Sequence, residues 1–348
     1  MSEATLIDVL PAHRFDEARL LSYLTGRLAG AEQGMQVKQF QGGQSNPTYL
    51  LSMAEYRYVL RKKPPGKLLP SAHMVEREYQ VINALGSTNV PVPTARLLCE
   101  DPEIIGTAFY IMDYVEGRVH TQPLLGDVEQ SQRLPIYRSM IETMAQLHNV
   151  DWKAVGLENY GKTEGYIPRQ IKRWSGQFEA SRTGDMPAMD ALMAWLPDNM
   201  PKDDHTTIAH GDFRIGNLIL HPTEPRVVSI LDWELATLGH PLSDLAYCCL
   251  PYHLPAGING VKGMLGADLK GMGLPEEQQV LEWYCQYSGR SEIPDWNFFL
   301  AFSLFRLAAI LQGVYHRAVQ GNASNADALE VGKRAGLLAE RGWEIAQS

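Results

Sequence analysis

The spacing of hydrophobic residues in the first third of the chain changes between helical and strand periods. Apolar residues about 3.6 positions apart predict a helix within residues 14–28. Ser71 is a good N-cap residue, so a second helix is expected to start after it. Segments rich in Tyr, Val, Leu and Thr predict strands at Val37–Phe40, Thr48–Met53, Tyr56–Lys62 and Phe109–Val115. These elements form a small sheet with one main helix.

The pattern from about Leu134 onward is mainly helical, with one strand-rich island at Ile208–Trp233. The pair Glu116-Gly117 follows the last N-terminal strand and is a natural hinge. This order is typical of the α+β class rather than of regular βαβ alternation. We therefore predict two lobes: an N-lobe of residues 1–115 and a larger helical C-lobe of residues 116–348.

Composition narrows the class of protein without identifying it. The 348 residues are 45% hydrophobic and 20% charged, which is ordinary for a globular protein. Thirty-one Lys plus Arg face forty Asp plus Glu, for a net charge of -9. A protein that coats nucleic acid or an anionic membrane needs a surplus of cations, so both partners are excluded as predictions.

Cysteine spacing and the distribution of apolar residues indicate the compartment. No pair of the four cysteines has C-x-x-C spacing, so reduced thiols are expected. The N-terminus lacks a basic start followed by an apolar core and is not expected to be a signal peptide. Arg306 interrupts the most apolar stretch, Phe298–Leu311, which is too short to span a bilayer and predicts a buried helix. A cytoplasmic protein is the prediction.

The strand-rich island carries the candidate chemistry. It contains His210-Gly211-Asp212 and then Asn217, which is the H-x-D-x-x-x-x-N spacing of kinase catalytic loops. A turn and a second strand then lead to Asp232. Phosphoryl transfer needs a carboxylate that accepts the hydroxyl proton and oxygen ligands for Mg²⁺. We predict Asp212 as the base and Asn217 and Asp232 as the Mg²⁺ ligands.

Each of these residues also has an ordinary structural explanation. Asp and Asn at strand ends commonly cap turns, although the combination with a spaced second Asp favours the catalytic interpretation. His210 is expected to hold the backbone rather than to act as a second base. Asp244 is expected to brace the catalytic loop through hydrogen bonds.

A cation and a glutamate of the N-lobe fit the same chemistry. The strand ends in Arg61-Lys62-Lys63, and a cation there would grip the α- and β-phosphates of a nucleotide. Three consecutive cations cannot all point inward, so a solvated charge run is the alternative, and the choice between Arg61 and Lys62 stays open. At about 100° per residue Glu78 shares the apolar face of its helix, whereas Glu76 points to the side. We choose Glu78 as the partner of the cation.

The glycine-rich loop at Gln41–Asn46 would cover the phosphates with backbone N–H groups. Ser45 and Asn46 are the nucleotide-binding candidates in this loop. Glycine-rich turns are common, so the loop alone is weak support.

These motifs resemble those of the aminoglycoside phosphotransferase and choline kinase superfamily. The resemblance implies a two-lobed protein-kinase-like fold with ATP between the lobes and Mg²⁺ on its phosphates. In the segment Met112–Gly117, it implies that the Asp113 carbonyl and the Val115 N–H contact adenine.

A more specific resemblance is to the kinase-like domain of acyl-CoA dehydrogenase fusion proteins and their bacterial relatives. It rests on stretches spread over nearly the whole chain: Gly42–Tyr49, Leu60–Ser71, Arg169–Ser181, Asp232–Tyr247 and Arg306–Gly321. It implies ATP-dependent phosphorylation of a 4-hydroxyacyl-CoA. Arg61 stands where many relatives have Lys, and Arg still binds phosphate bidentately.

The acceptor is expected to bind to helices of the C-lobe, within residues 166–178 and 298–317. Apolar residues for an acyl chain would be Trp174, Phe298, Phe302 and Tyr315. Cations for coenzyme A phosphates would be Arg169, Lys172, Arg173, Arg306, His316 and Arg317. Core aromatics and a solvated basic face are the alternative for each. An aminoglycoside or choline-type acceptor would instead need carboxylates, and a nucleotide-binding pseudokinase would not need Asp212.

Overall fold

The computed structural model of the chain describes residues 5–41, 46–65, 73–257, 262–321 and 328–348. The chain packs into two units. The first comprises residues 1–121, 153–157 and 215–236, and the second comprises residues 122–152, 158–214 and 237–348.

An antiparallel sheet is the framework of the first unit. Over the described residues it has six strands in the order β1-β2-β3-β4-β6-β5. Their bounds are β1 Leu6–Ile7, β2 Gln36–Phe40, β3 Thr48–Met53, β4 Tyr56–Lys62, β5 Ala95–Cys99 and β6 Phe109–Asp113. The sequence predicted β2, β3, β4 and β6 to within two residues but did not predict β1 or β5.

One face of this sheet is covered by α1 (Glu17–Leu24), which starts where the Asp16 side chain accepts a hydrogen bond from the Arg19 N–H. Leu20 and Leu24 are fully buried in a core that also contains sheet residues such as Tyr49 and Leu60. The register pairs Tyr49 with Leu60. The predicted helix of residues 14–28 is therefore confirmed, although the regular helix is shorter.

The main helix of the first unit is α2 (Val75–Leu85), and α3 (Pro102–Ile105) is a single turn. Its buried face carries Val75, Val81, Ile82 and Leu85, together with Glu78. The predicted N-cap, Ser71, lies outside the described residues, and the helix begins after Met74 without a side-chain cap. The burial of Glu78 beside four apolar residues follows from their shared helical face.

A hairpin later in the chain also belongs to the first unit. It is formed by β8 (Leu218–Leu220) and β9 (Val227–Ile230), and Arg118 forms a bridge with Leu220. The close approach requires Gly117, because a Cβ atom there would lie 2.2 Å from the Leu220 carbonyl oxygen. This packing makes both units discontinuous in the chain. The lobe boundary after Val115 stays a prediction.

The second unit is mainly helical. The short antiparallel pair β7 (Thr207–Ala209) and β10 (Thr237–Gly239) packs with its helices. The described helices are α4 Gln130–His148, α5 Tyr166–Ser181, α6 Pro187–Asp198, α7 Pro241–His253, α8 Glu277–Ser288, α9 Trp296–Val319, α10 Ala328–Gly332 and α11 Ala335–Ala346. All four cysteines are free, as expected. An antiparallel sheet in one unit and helices in the other confirm the predicted α+β class.

Helix α9 is the central element of the second unit. It packs against α5, α7, α10 and α11. It is 24 residues long, longer than the apolar stretch used to predict it, and by length and composition alone it could cross a membrane. Of its most apolar window, 67% is buried inside the protein, as in the core helix of a soluble protein.

Candidate active site

Arg61 is the centre of a charged cluster in the first unit. Its Nε lies 2.8 Å from Glu78 Oε2, and its Nη2 lies 2.8 Å from Asp232 Oδ1. Glu234 Oε2 is 3.7 Å from Nη2. The side chain of Arg61 is only 14% exposed. Strand β4, helix α2 and the segment after β9 therefore converge on one guanidinium.

Glu78 is buried but fully engaged. Asn46 Nδ2 donates a hydrogen bond to Glu78 Oε1 at 2.7 Å, and the Tyr110 hydroxyl donates one to Oε2 at 3.2 Å. Burial raises the pKa of Glu78 to about 7, although Arg61 and Asn46 act to lower it. Burial also raises the pKa of Tyr110, and the carboxyl of Glu78 adds to that effect. The Glu78 carboxyl is thus positioned by contacts on both oxygens.

The structure resolves which cation pairs with α2. Consecutive side chains of a strand point to opposite faces, and Lys62 lies on the other face from Arg61, with its Nζ 5.9 Å from the ring centroids of Phe15 and Tyr49. Burial lowers the pKa of Lys62. Lys63 pairs with Glu76 at 2.8 Å. The predicted pairing of the strand cation with Glu78 is confirmed, and that cation is Arg61.

Asn217 and Asp232 flank the β8–β9 hairpin. Leu218 pairs with Ile230, and the Leu231 N–H donates to the Asn217 carbonyl at 2.8 Å. The hairpin thus brings the start of β8 and the end of β9 together within the first unit. Asp232 adopts a left-handed conformation, with φ 64° and ψ 62°. A non-glycine residue held there is strained, and such residues concentrate at functional sites.

The two side chains suit a magnesium ion chemically. Carboxylate and carboxamide oxygens are hard ligands, and Mg²⁺ commonly takes one or two protein ligands and completes its shell with phosphates and water. The described residues contain no group of three or more His, Cys, Asp or Glu side chains that could hold a metal on their own. The roles of Asn217 and Asp232 as ligands stay predictions.

Asp212 belongs to the second unit and is held on its carboxylate by two side chains. Arg214 Nε lies 3.2 Å from each carboxylate oxygen, and the Tyr247 hydroxyl is hydrogen bonded to the same group. Burial, followed by the charge of Asp212, raises the pKa of Tyr247 above its usual range. The tyrosine therefore remains a proton donor to the carboxylate. Its position relative to Asn217 and Asp232 stays a prediction.

His210 and Asp244 hold the backbone on which Asp212 lies. The Asp212 N–H donates to His210 Nδ1 at 3.2 Å. The N–H groups of His210 and Gly211 donate to the two oxygens of Asp244 at 2.5 and 2.8 Å. Burial acts to raise the pKa of Asp244, but hydrogen bonds and the neighbouring His148 and His210 hold it below its usual range. Both residues brace the loop, as the sequence predicted.

The predicted acceptor residues of the second unit separate into two groups. Phe298 and Phe302 are buried and stacked on each other with centroids 6.1 Å apart, which is the core role left open above. Arg306 is also buried, whereas Lys172 and Arg173 are exposed. A direct role for the two phenylalanines at a substrate surface therefore loses support.

The hinge residues and the glycine-rich loop are only partly informative. The Asp113 carboxylate is bound by Arg96 through two hydrogen bonds of 2.7 and 2.6 Å, which leaves its carbonyl as the predicted contact to adenine. Within the described residues, the Val115 N–H has no backbone acceptor. Ser45 lies outside the described residues. These nucleotide contacts stay predictions.

Sequence reasoning missed four residues that touch the predicted ones: Tyr110, Arg214, Glu234 and Tyr247. Tyr247 had a usable signal, because it lies three residues after Asp244 on a helix and so shares its face. Tyr110 could be found only from strand register, which pairs it with Arg61.

An antiparallel sheet with a strand cation paired to a helix glutamate, a helical unit and a braced H-x-D loop define a small-molecule phosphotransferase of the kinase-like class. The profile described as "Phosphotransferase enzyme family" matches residues 36–283, and the chain belongs to that family. The resemblance found in the motifs is confirmed.

Relatives of known sequence and structure agree with this assignment. Acyl-CoA dehydrogenase family member 10 of Mus musculus is 46% identical over 328 residues, which cover 94% of this chain and 31% of the mouse protein. The chain thus spans less than a third of that relative, whose name describes a fusion.

Solved structures show the same fold. A protein of Ralstonia eutropha, provisionally described as an aminoglycoside phosphotransferase, has a TM-score of 0.88 and 46% identity, with 96% of this chain and 99% of that one covered. A spectinomycin phosphotransferase solved with ADP and spectinomycin has a TM-score of 0.61 over 95% of this chain and 98% of that one. Its 14% identity shows the fold alone.

Proposed function

We propose that this phosphotransferase transfers the γ-phosphoryl group of ATP to a hydroxyl of a small molecule, and that the acceptor is a hydroxyacyl-CoA such as a 4-hydroxyacyl-CoA. The observation that supports nucleotide chemistry most strongly is Arg61, a cation ordered by Glu78 and Asp232. A planar guanidinium held in this way is suited to phosphate oxygens.

Asp212 would accept the proton of the acceptor hydroxyl as the new O–P bond forms. The bond between the γ-phosphorus and the β,γ-bridging oxygen breaks, and ADP leaves. Tyr247 and Arg214 would orient the carboxylate and keep it ionised until then. Asn217 and Asp232 would hold a magnesium ion, which neutralises phosphate charge.

The remaining nucleotide contacts follow the family resemblance. Arg61 would bind the α- and β-phosphates, and the backbone of Ser45 and Asn46 would cover them. The Asp113 carbonyl and the Val115 N–H would contact adenine. These contacts would orient the phosphates for in-line transfer.

The charges near Asp212 favour an anionic acceptor. Arg214 and Lys262 both act on this part of the second unit, and burial lowers the pKa of Lys262 with Arg214 adding to the effect. A polycationic aminoglycoside or a choline would be repelled by such a surface. The fusion of related chains to acyl-CoA dehydrogenases supports a coenzyme A thioester.

The test is ATP consumption with Mg²⁺ across hydroxyacyl-CoAs, aminoglycosides and choline. Asp212→Asn is expected to lose about a hundredfold or more in turnover, which is the usual contribution of a positioned base. Asp190→Asn, an exposed residue of α6, is the matched control. Turnover of Asp212→Asn equal to the control would refute Asp212 as base.

Asp232→Ala is expected to lose Mg²⁺-dependent nucleotide binding, because it removes the charged ligand. Calorimetric titration of nucleotide with and without Mg²⁺ measures this effect. An unchanged Mg²⁺ dependence would place the metal elsewhere.

A further inference from the structure

Arg306 is a buried cation beside the catalytic loop of the second unit. It is 7% exposed, and its Nη2 donates to the Gly211 carbonyl. Its guanidinium carbon lies 5.8 Å from the ring centroid of Trp174 and 5.5 Å from that of Tyr247. Two aromatic faces and one carbonyl thus fix the plane of the group.

One donor of this fixed group is left over. Among the residues that the structure describes, Arg306 Nε is buried and has no hydrogen-bond partner, and no carboxylate lies within ion-pair distance of the side chain. A buried donor without an acceptor is unfavourable, and charged donors gain most from finding one. An oxygen atom of a ligand would supply the missing acceptor.

Two contacts place Arg306 next to the predicted base. Gly211, whose carbonyl it binds, directly precedes Asp212. Tyr247, whose ring it faces, is hydrogen bonded to the Asp212 carboxylate. An oxygen bound at Nε would therefore belong to the same small molecule whose hydroxyl meets Asp212.

We propose that Arg306 Nε donates a hydrogen bond to a carbonyl or carboxylate oxygen of the acceptor, a few bonds from the hydroxyl that is phosphorylated. This inference rests on the proposed function and deepens it. It makes Arg306 a specificity determinant that selects hydroxy-carbonyl compounds over plain alcohols. The burial of Arg306 separates this role from contact with the distant phosphates of coenzyme A.

The test compares three acceptors of matched chain: 4-hydroxypentanoyl-pantetheine, 4-hydroxypentanoate and 2-pentanol. The first two offer a carbonyl or a carboxylate oxygen without coenzyme A phosphates, and the third offers neither. The kcat/KM ratio of the better carbonyl compound to 2-pentanol is measured for wild type, Arg306→Gln and Arg306→Lys. Arg138→Gln is the control, because Arg138 also faces a tyrosine ring but is exposed on α4.

Arg306→Gln is expected to lower this ratio at least about tenfold, the effect of one charge-assisted hydrogen bond. Arg138→Gln should leave the ratio unchanged. If Arg306→Gln fails to fold, Arg306→Lys decides, since it keeps the charge but lacks the Nε donor and should lower the ratio in the same direction. An equal loss for carbonyl acceptor and alcohol would show that Arg306 only supports Gly211 and would overturn the proposal.

Calorimetric binding separates this proposal from the proposed function. The Kd of the pantetheine thioester should rise at least about tenfold in Arg306→Gln, while the Kd of the nucleotide stays constant. Binding of the thioester without transfer in wild type would refute the proposed kinase reaction, and the Kd change would still support or overturn the role of Arg306.

Discussion

Asp244→Asn tests how the catalytic loop is held. The two carboxylate oxygens accept hydrogen bonds from the backbone N–H groups of His210 and Gly211, at 2.5 and 2.8 Å, in a site where Asp244 is 1% exposed. Asparagine has one acceptor oxygen, so one buried N–H would face an amide NH₂ without a partner. A lost buried acceptor costs about 1–3 kcal/mol, and the loss of charge assistance adds to it, so we expect about 2–4 kcal/mol less stability.

Urea unfolding at pH 7 measures this loss. Asp190→Asn is the control, because Asp190 pairs with Arg182 at the surface, where an ion pair contributes at most about 1 kcal/mol. The pKa of Asp244 is held below its model-compound value of 3.8, so its ionised form stabilises the fold above that pH and the contribution is lost in more acidic solution. The variant should lack this part of the acid dependence. A loss within about 0.5 kcal/mol of the control would refute the bracing role.

Two further predictions concern other charged groups. Arg61→Lys keeps the charge but cannot bridge Glu78 and Asp232 with a planar fork, so the Kd for nucleotide should rise on the order of tenfold in calorimetry, and an unchanged Kd would contradict its role. Burial lowers the pKa of His240 to about 4, so between about pH 6.5 and 4 only the unfolded chain takes up this proton. The free energy of unfolding should therefore fall with pH over that window by up to about 3 kcal/mol, and His240→Asn, which can still cap α7, should remove this slope. The same slope in the variant would contradict the assignment.

Local patterns were sufficient for the strands that form the nucleotide side of the fold. β3 and β4 have long, continuous segments of strand-forming residues, and their predicted bounds are those observed. β1 has two residues, too few for any periodicity, and β5 follows two prolines that indicate an irregular segment. Both strands are ordered by pairing with neighbours rather than by their own sequence.

The candidate site was predictable where its geometry is local. Glu78 was distinguished from Glu76 because the helical period fixes which of them shares the apolar face. Arg61 could not be distinguished from Lys62, since strand alternation puts them on opposite faces without showing which face meets α2. Tertiary packing decides that question.

Long-range packing explains the rest of what the sequence left open. The β8–β9 hairpin packs with Arg118, about a hundred residues earlier in the chain. Arg306 was grouped with exposed cations of α5 because sequence neighbours do not reveal burial. In the fold it lies under Trp174 and Tyr247, where its role differs from theirs.

The most direct test of the central claim is phosphorus NMR of a reaction containing the protein, ATP, Mg²⁺ and a 4-hydroxyacyl-CoA. We predict a new phosphate monoester resonance whose amount equals the ADP formed, and its loss in Asp212→Asn. Formation of ADP with inorganic phosphate alone, or an undiminished monoester signal in Asp212→Asn, would contradict the account.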